Sequence, residues 1–282
     1  MTLFGPAGNS DAFTKKFKGS VFAPAWLREM GLDCYEYQCG RGVNIGEDTA
    51  RAIGAAASAH GIHMSLHAPY FINLSGSAPE RMEKNLGYIL QSARAVSWMG
   101  GDRIVVHCGG LSGMTREEAL ANTAAGLHRA ADLLAEEHLG HVTMCVETMG
   151  KINVLGDLSE VLALCRGDGR LLPCIDFGHM NARTQGQMRT LSQVTALFDA
   201  LEDALGIDRA RHLHAHFSRI EYGKGGEVRH LTFEDTVYGP DFGPVALQLA
   251  KRGYAARVIC ESAGTQAEDA LTMKKMYTDY LK

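Results

Sequence analysis

The chain lacks most of the features that would place it in a specialised class. Its seven cysteines are odd in number and contain no C-x-x-C pair, so neither a disulfide framework nor a paired-thiolate metal site is expected. Cys108, Cys145, Cys174 and Cys260 fall in or beside apolar runs, where a reduced thiol behaves as a small hydrophobe. No apolar run approaches the roughly 20 residues of a membrane-spanning helix, and MTLFGPAGNS at the N-terminus has no secretory pattern. A soluble, cytoplasmic protein with no membrane partner is therefore expected. Positive charge is not in excess: the formal net charge of -4 excludes a generally basic nucleic-acid coat but leaves room for a local basic rim. Low-complexity tracts, long charge blocks and Pro/Ser linkers are also absent. After the first apolar run, GPAGNS does not fit G-x-G-x-x-G, which disfavours a doubly wound dinucleotide fold.

What is present is one pattern, repeated: a short apolar run, a loop, then a helix-like segment. The runs are Thr2–Gly5, Cys34–Tyr37, His63–His67, Arg103–His107, Val142–Glu147, Leu171–Asp176, His212–His216 and Arg257–Glu261. Each has strand length and is rich in β-branched or aliphatic residues. Between them, Met82, Leu86, Ile89, Leu90 and Ala93 form one helical stripe. Ser77 with Glu80, Thr115 with Glu118 and Asp157 with Glu160 have capping-box spacing. Gly61, Gly100, Gly140 and Gly253 precede the next strand as C-caps would. Eight strands alternating with helices over 282 residues, 46% of them hydrophobic, predict an α/β fold, a single-domain (β/α)8 TIM barrel over residues 1–282.

The runs end in unusual residues. The third to eighth finish in His67, His107, Glu147, Asp176, His216 and Glu261. In a barrel the C-terminal strand ends form one ring, so these six side chains would converge. Carboxylates held close together repel unless a cation lies between them, and imidazoles supply neutral nitrogen ligands. The mixture suits zinc, manganese or iron. His179, three residues past Asp176, would reach a neighbouring ion, although a helix cap alone would also account for Asp176. His60, His128, His138 and His141 fall away from the strand ends. His63 and His212 begin strands and belong at the opposite mouth. His214 shares the face of His216 one layer deeper, as a support or an extra ligand.

These motifs, in this order, resemble the endonuclease IV family of apurinic/apyrimidinic (AP) endonucleases, within the xylose isomerase-like barrel superfamily. The stretches that carry the likeness are HAPYFINL, VVHCGG, VETMG, IDFGH, HAHFS and ICESA. The resemblance implies two or three zinc ions. His67, His107 and Glu147 would hold one; Glu147, Asp176, His216 and Glu261 would hold the second. His179 and His230 would hold a third, together with an aspartate two residues before His230. Here Val228 occupies that place, and valine cannot ligate. The third site would then be empty, weaker, or completed by Glu227, Glu221, His214 or water. Cys108, Ala263 and FGPAGNS also depart from the family pattern, which marks a divergent branch.

The resemblance further implies hydrolysis of DNA 5′ to abasic sites by a monomer, with Glu147 and Glu261 catalytic. Arg41, Tyr70 and Phe71 would enter the duplex, and Arg219, Lys224 and Arg229, on a loop over the same mouth, would bind phosphates. A sugar isomerase or epimerase on the same barrel is the alternative. It needs only Glu147, Asp176, His216 and Glu261 and would act on a small sugar, with Glu147 and Glu261 moving a proton beside a carbonyl. A metal-binding protein without catalysis is a third reading.

Overall fold

A computed structural model of the chain describes residues 1–76 and 78–282. The strands are β1 (Leu3–Pro6), β2 (Cys34–Gln38), β3 (His63–His67), β4 (Arg103–His107), β5 (Thr143–Glu147), β6 (Leu171–Asp176), β7 (His214–Phe217), β8 (Arg219–Gly223), β9 (Gly226–Leu231) and β10 (Arg257–Cys260). Eight of them form one parallel sheet in the order β1-β10-β7-β6-β5-β4-β3-β2. The expected (β/α)8 barrel is thus the fold, with helices between the strands packed outside the sheet.

The sheet is nearly closed at the seam between β1 and β2. There Asp33 N–H donates to Phe4 O and Gly8 N–H to Glu36 O, both at 2.8 Å, and Ala7 bridges Glu36. The two backbones approach so closely that a Cβ on Gly5 would lie 1.7 Å from Cys34 O. Only glycine fits that position.

Side-chain alternation builds the barrel interior in layers. The upper layer holds the strand-end acids and imidazoles. Two residues earlier on each strand, hence on the same face, stand Glu36, Ser65, Val105, Cys145, Cys174, His214 and, below Glu261, Ile259. Val105, Cys145 and Cys174 form a small apolar cluster of their own, separate from the large core between sheet and helices. All seven cysteines are free and buried.

Two of the expected capping boxes form, at Thr115/Glu118 and Asp157/Glu160. The third involves Ser77, which lies outside the described residues. One expectation is corrected. The segment from Arg219 to His230, read from sequence as a loop, is the antiparallel hairpin β8–β9. A two-residue turn, Lys224-Gly225, joins Gly223 to Gly226, whose φ of 94° suits glycine. Among the described residues no helix is long and apolar enough to cross a membrane.

Gly5→Ala is expected to destabilise the fold by about 3 kcal/mol or more, since rigid backbone must move to admit one methyl. Urea unfolding of the variant checks this; an unchanged midpoint would contradict the seam geometry.

Candidate metal centre

Strand register sets the convergence. Cα partners across the sheet include His107 with Glu147 and Asp176 with His216. Glu147, at the end of β5, is the hub. Its Oε2 lies 2.9 Å from His107 Nε2 and 3.2 Å from His67 Nε2, while its Oε1 lies 3.1 Å from His216 Nδ1. Potential ligand atoms fall into five overlapping groups whose members all lie within 4.8 Å of one another: His67, His107 and Glu147; Glu147, Asp176, His216 and Glu261; His179, Glu227 and His230; His67, His216 and Glu261; and Cys174, His214 and His216. All eight metal-ligand candidates read from the sequence are brought to this one mouth.

The residues fit divalent cations on two grounds. First, Asp176 Oδ2 is fully buried and forms no hydrogen bond among the described residues, although His179 Nδ1 lies 3.2 Å from it; a buried carboxylate oxygen without a hydrogen-bond donor is suited to meeting a cation. Its Oδ1 is used by the backbone, accepting from His179 N–H at 2.7 Å. Second, each of four imidazoles has one nitrogen engaged by the protein and the other turned to the acids. Nδ1 of His67 meets Ala68 O at 2.7 Å, Nδ1 of His179 meets Thr148 O at 2.9 Å, and Nδ1 of His230 meets Ser218 Oγ at 2.8 Å. His216 is reversed: its Nδ1 faces Glu147, and its Nε2 lies 2.9 Å from Glu36 Oε1, an ion-pair contact outside hydrogen-bonding geometry. Fixing one nitrogen fixes the orientation of the other, the usual support of a metal-bound histidine.

Glu36 is the site residue that sequence reasoning missed. It is fully buried in the middle of β2 and also meets His214 Nε2 at 2.9 Å and Ser65 Oγ at 3.0 Å. His214 is accordingly a support for this carboxylate. A glutamate in the centre of the short run CYEYQ, on the face that alternation turns inward, was the available signal.

The departure at Val228 is resolved by the hairpin. Glu221 pairs with Arg229 and Tyr222 with Glu227, so one extra residue on β9, Val228, is bulged. Alternation is thereby broken. Val228 points to solvent at 59% exposure, and Glu227 turns inward instead. Its Oε2 lies 3.4 Å from His179 Nε2 and its Oε1 3.9 Å from His230 Nε2. Of the residues considered for completing this group, Glu227 is in place. Gly150 seats it: a Cβ there would lie 2.6 Å from Glu227 Cβ and 2.9 Å from His179 Cδ2.

Without cations, protons do their work. Burial opposes charge on Glu147, but the charges of His107 and His216 overcome it and hold its carboxyl well below the usual range. Burial likewise lowers the His67 pKa, yet the hydrogen bond and charge of Glu147 raise it to about 9. His179 is raised despite burial, chiefly by Asp176. Asp176 itself is pushed up to about 6 by burial, with Glu261 and Glu147 adding repulsion.

Above the centre opens a cavity of about 500 Å³, lined by most of the ligand candidates together with Tyr70, Phe71 and Lys151. Tyr70 and Phe71 are exposed, with ring centroids 5.8 Å apart and edge-to-face. The proposed cationic contacts are not gathered there. Arg41, Arg219, Lys224 and Arg229 do not line the cavity. Arg219 is bound to Asp241 at 2.6 Å and Arg229 to Glu221 at 2.7 Å.

Comparison with known proteins agrees with this fold. The family model of the xylose isomerase-like TIM barrel matches residues 24–276. An uncharacterised protein of Methanocaldococcus jannaschii is 31% identical over 274 residues, covering 97% of this chain and 96% of its own. A probable endonuclease 4 of Acholeplasma laidlawii is 30% identical over 166 residues, 57% of this chain and 54% of that protein. Among solved structures, endonuclease IV from Thermus thermophilus superposes with a TM-score of 0.70 at 17% identity, covering 99% of this chain and 98% of the other. A D-tagatose 3-epimerase-like protein gives 0.69 at 19% identity, covering 89% and 88%.

Two outcomes are expected. Glu36→Gln should weaken metal retention roughly 10–100-fold while the chain stays folded, as loss of a carboxylate behind a ligating histidine does; titration against a chelator measures it, and unchanged retention would remove Glu36 from this role. Loading the metal-free protein with zinc at pH 7 should release protons, because His67 must give up a proton held to about 9. Apparent affinity should rise with pH, and most steeply below about 6, where Asp176 must also be deprotonated. Calorimetry in buffers of different ionisation enthalpy reads the release; buffer-independent heats would count against it.

Proposed function

The chain belongs to the xylose isomerase-like TIM barrel family, and from that premise we propose that it is a metal-dependent phosphodiesterase that cuts DNA 5′ to abasic sites. The observation that carries this reading is the number of ligand groups. A barrel isomerase needs only Glu147, Asp176, His216 and Glu261, whereas His67 with His107, and His179 with Glu227 and His230, provide for two further cations. Zinc, or manganese or iron, held by these groups would polarise a phosphate and lower the pKa of an attacking water.

The chain's own residues then divide the work. Glu147, bound from both sides by imidazoles, fixes the spacing of the first two groups. Glu261 sits one residue beyond β10, lines the cavity and reaches within 3.5 Å of His216 Nδ1. It is placed to orient an attacking water and hold its proton. His179 and His230, at the other end of the cluster, face the leaving oxygen. Tyr70 and Phe71 supply two exposed rings at the rim, suited to stacking on bases beside a missing one.

The relatives of A. laidlawii and T. thermophilus bearing the endonuclease name support this reading. The epimerase-like neighbour superposes equally well and supports a second one, a sugar isomerase or epimerase in which Glu147 and Glu261 pass a proton across a carbon beside a carbonyl.

Purified protein should contain two or more transition-metal ions per chain and should nick a duplex oligonucleotide carrying one abasic analogue, in a reaction stopped by chelators. Glu261→Gln should abolish nicking without metal loss from the other groups. A single ion per chain with no nicking at any enzyme concentration would favour the sugar reading.

A further inference from the structure

The metal cavity is rich in carboxylates, yet a phosphate must enter it. None of the four cations expected from sequence lines it, and among the described lining residues the one lysine or arginine is Lys151. Its position is built rather than incidental. Lys151 follows Gly150, whose backbone runs directly against His179 and Glu227. The main chain of Lys151 bridges Gly226 of the hairpin, and Ile152 N–H donates to Gly225 O at 3.1 Å. From the other side Arg183 Nη1 donates to Lys151 O at 2.6 Å, and the same guanidinium reaches the carbonyls of Met149, Ile152 and Val154. One arginine thus spends its hydrogen bonds on holding this loop. The lysine side chain is left exposed. Glu227, the acid beside it, is held first by His179 and His230, with the Lys151 charge a smaller contribution. The ammonium lines the cavity, where it can also meet an incoming anion.

We propose that Lys151 grips a phosphate oxygen of the substrate next to the His179–Glu227–His230 group. This rests on the metal-dependent reading above and names the contact that brings phosphate to the site. A compact ammonium on a flexible stem suits a point contact to phosphate. The loop holds its origin, so the charge is delivered to one end of the cavity only.

The test uses the metal-loaded full chain, as wild type, Lys151→Met and Lys151→Arg. Zinc content should be equal in all three. Binding of an uncleaved abasic-analogue duplex should weaken about tenfold or more in Lys151→Met, and its dependence of log affinity on log salt should fall by about one phosphate contact. Lys151→Arg should keep most of the affinity. Inorganic phosphate binding, read by calorimetry, should fall in the same Lys151→Met variant. If wild type neither binds nor nicks the duplex but binds inorganic phosphate in a Lys151-dependent way, the nuclease reading fails, the proposal stands, and the anion belongs to a small phosphorylated molecule. If duplex and phosphate affinities are both unchanged in Lys151→Met, the proposal is overturned.

Discussion

The whole structure answers to the crowding of acids and imidazoles around Glu147. One carboxylate, fully buried, lies within 3.5 Å of nitrogens from four histidines on four different segments. Such an arrangement is untenable in a low-dielectric interior unless positive charge balances it. Protonated imidazoles can do this: Glu147 raises the His67 pKa to about 9 against the effect of burial, while burial raises that of Asp176 to about 6. Because Glu147 belongs to two candidate ligand groups at once, neutralisation at one would alter the cost at the other. The barrel supplies the rigidity this requires. Each ligand candidate of the two inner groups lies at a strand end or one residue past it, and those of the outer group sit on the helix Phe177–Arg183 and on β9.

Much of this was legible in the sequence because a parallel barrel converts order along the chain into position around a ring. Six strand-terminal His, Glu and Asp residues could be seen to converge from their spacing alone, and the order of the strands in the sheet follows the order of the runs. Alternation also placed His214 below His216. What could not be read was whatever depends on a break in alternation or on contacts between distant strands. Glu36 is polar in the middle of an apolar run, and its role emerges only when β2 is seen across the barrel from β7, 178 residues away. The loop clamp of Arg183 is equally invisible, since four carbonyls carry no side-chain signature. The hairpin β8–β9 was missed because its strands are short and largely polar, with a turn rich in glycine.

The fold itself does not choose between chemistries. Endonuclease and epimerase barrels superpose on the chain to nearly the same degree, as expected where function resides in strand-end residues on a common frame. What separates the readings is local: additional imidazoles on β3 and β4, a hairpin carrying His230 and Glu227, and a lysine, Lys151, whose main chain is bound beside them. The inner four-residue group is common ground. The outer groups are additions to it.

The bulge at Val228 has a consequence for how relatives of this chain are compared. Position by position, the resemblance to endonuclease IV sets Val228 where it implies an aspartate, and the function of that position would be scored as lost. Strand-face matching sets Glu227 there and scores it as kept. Inserting or removing a single residue in such a ribbon exchanges which side chains look inward, so a lineage can shift a functional group to the adjacent letter while every neighbouring motif stays still. In this chain the chemistry of that position is set by which way a residue faces rather than by where it falls in the text.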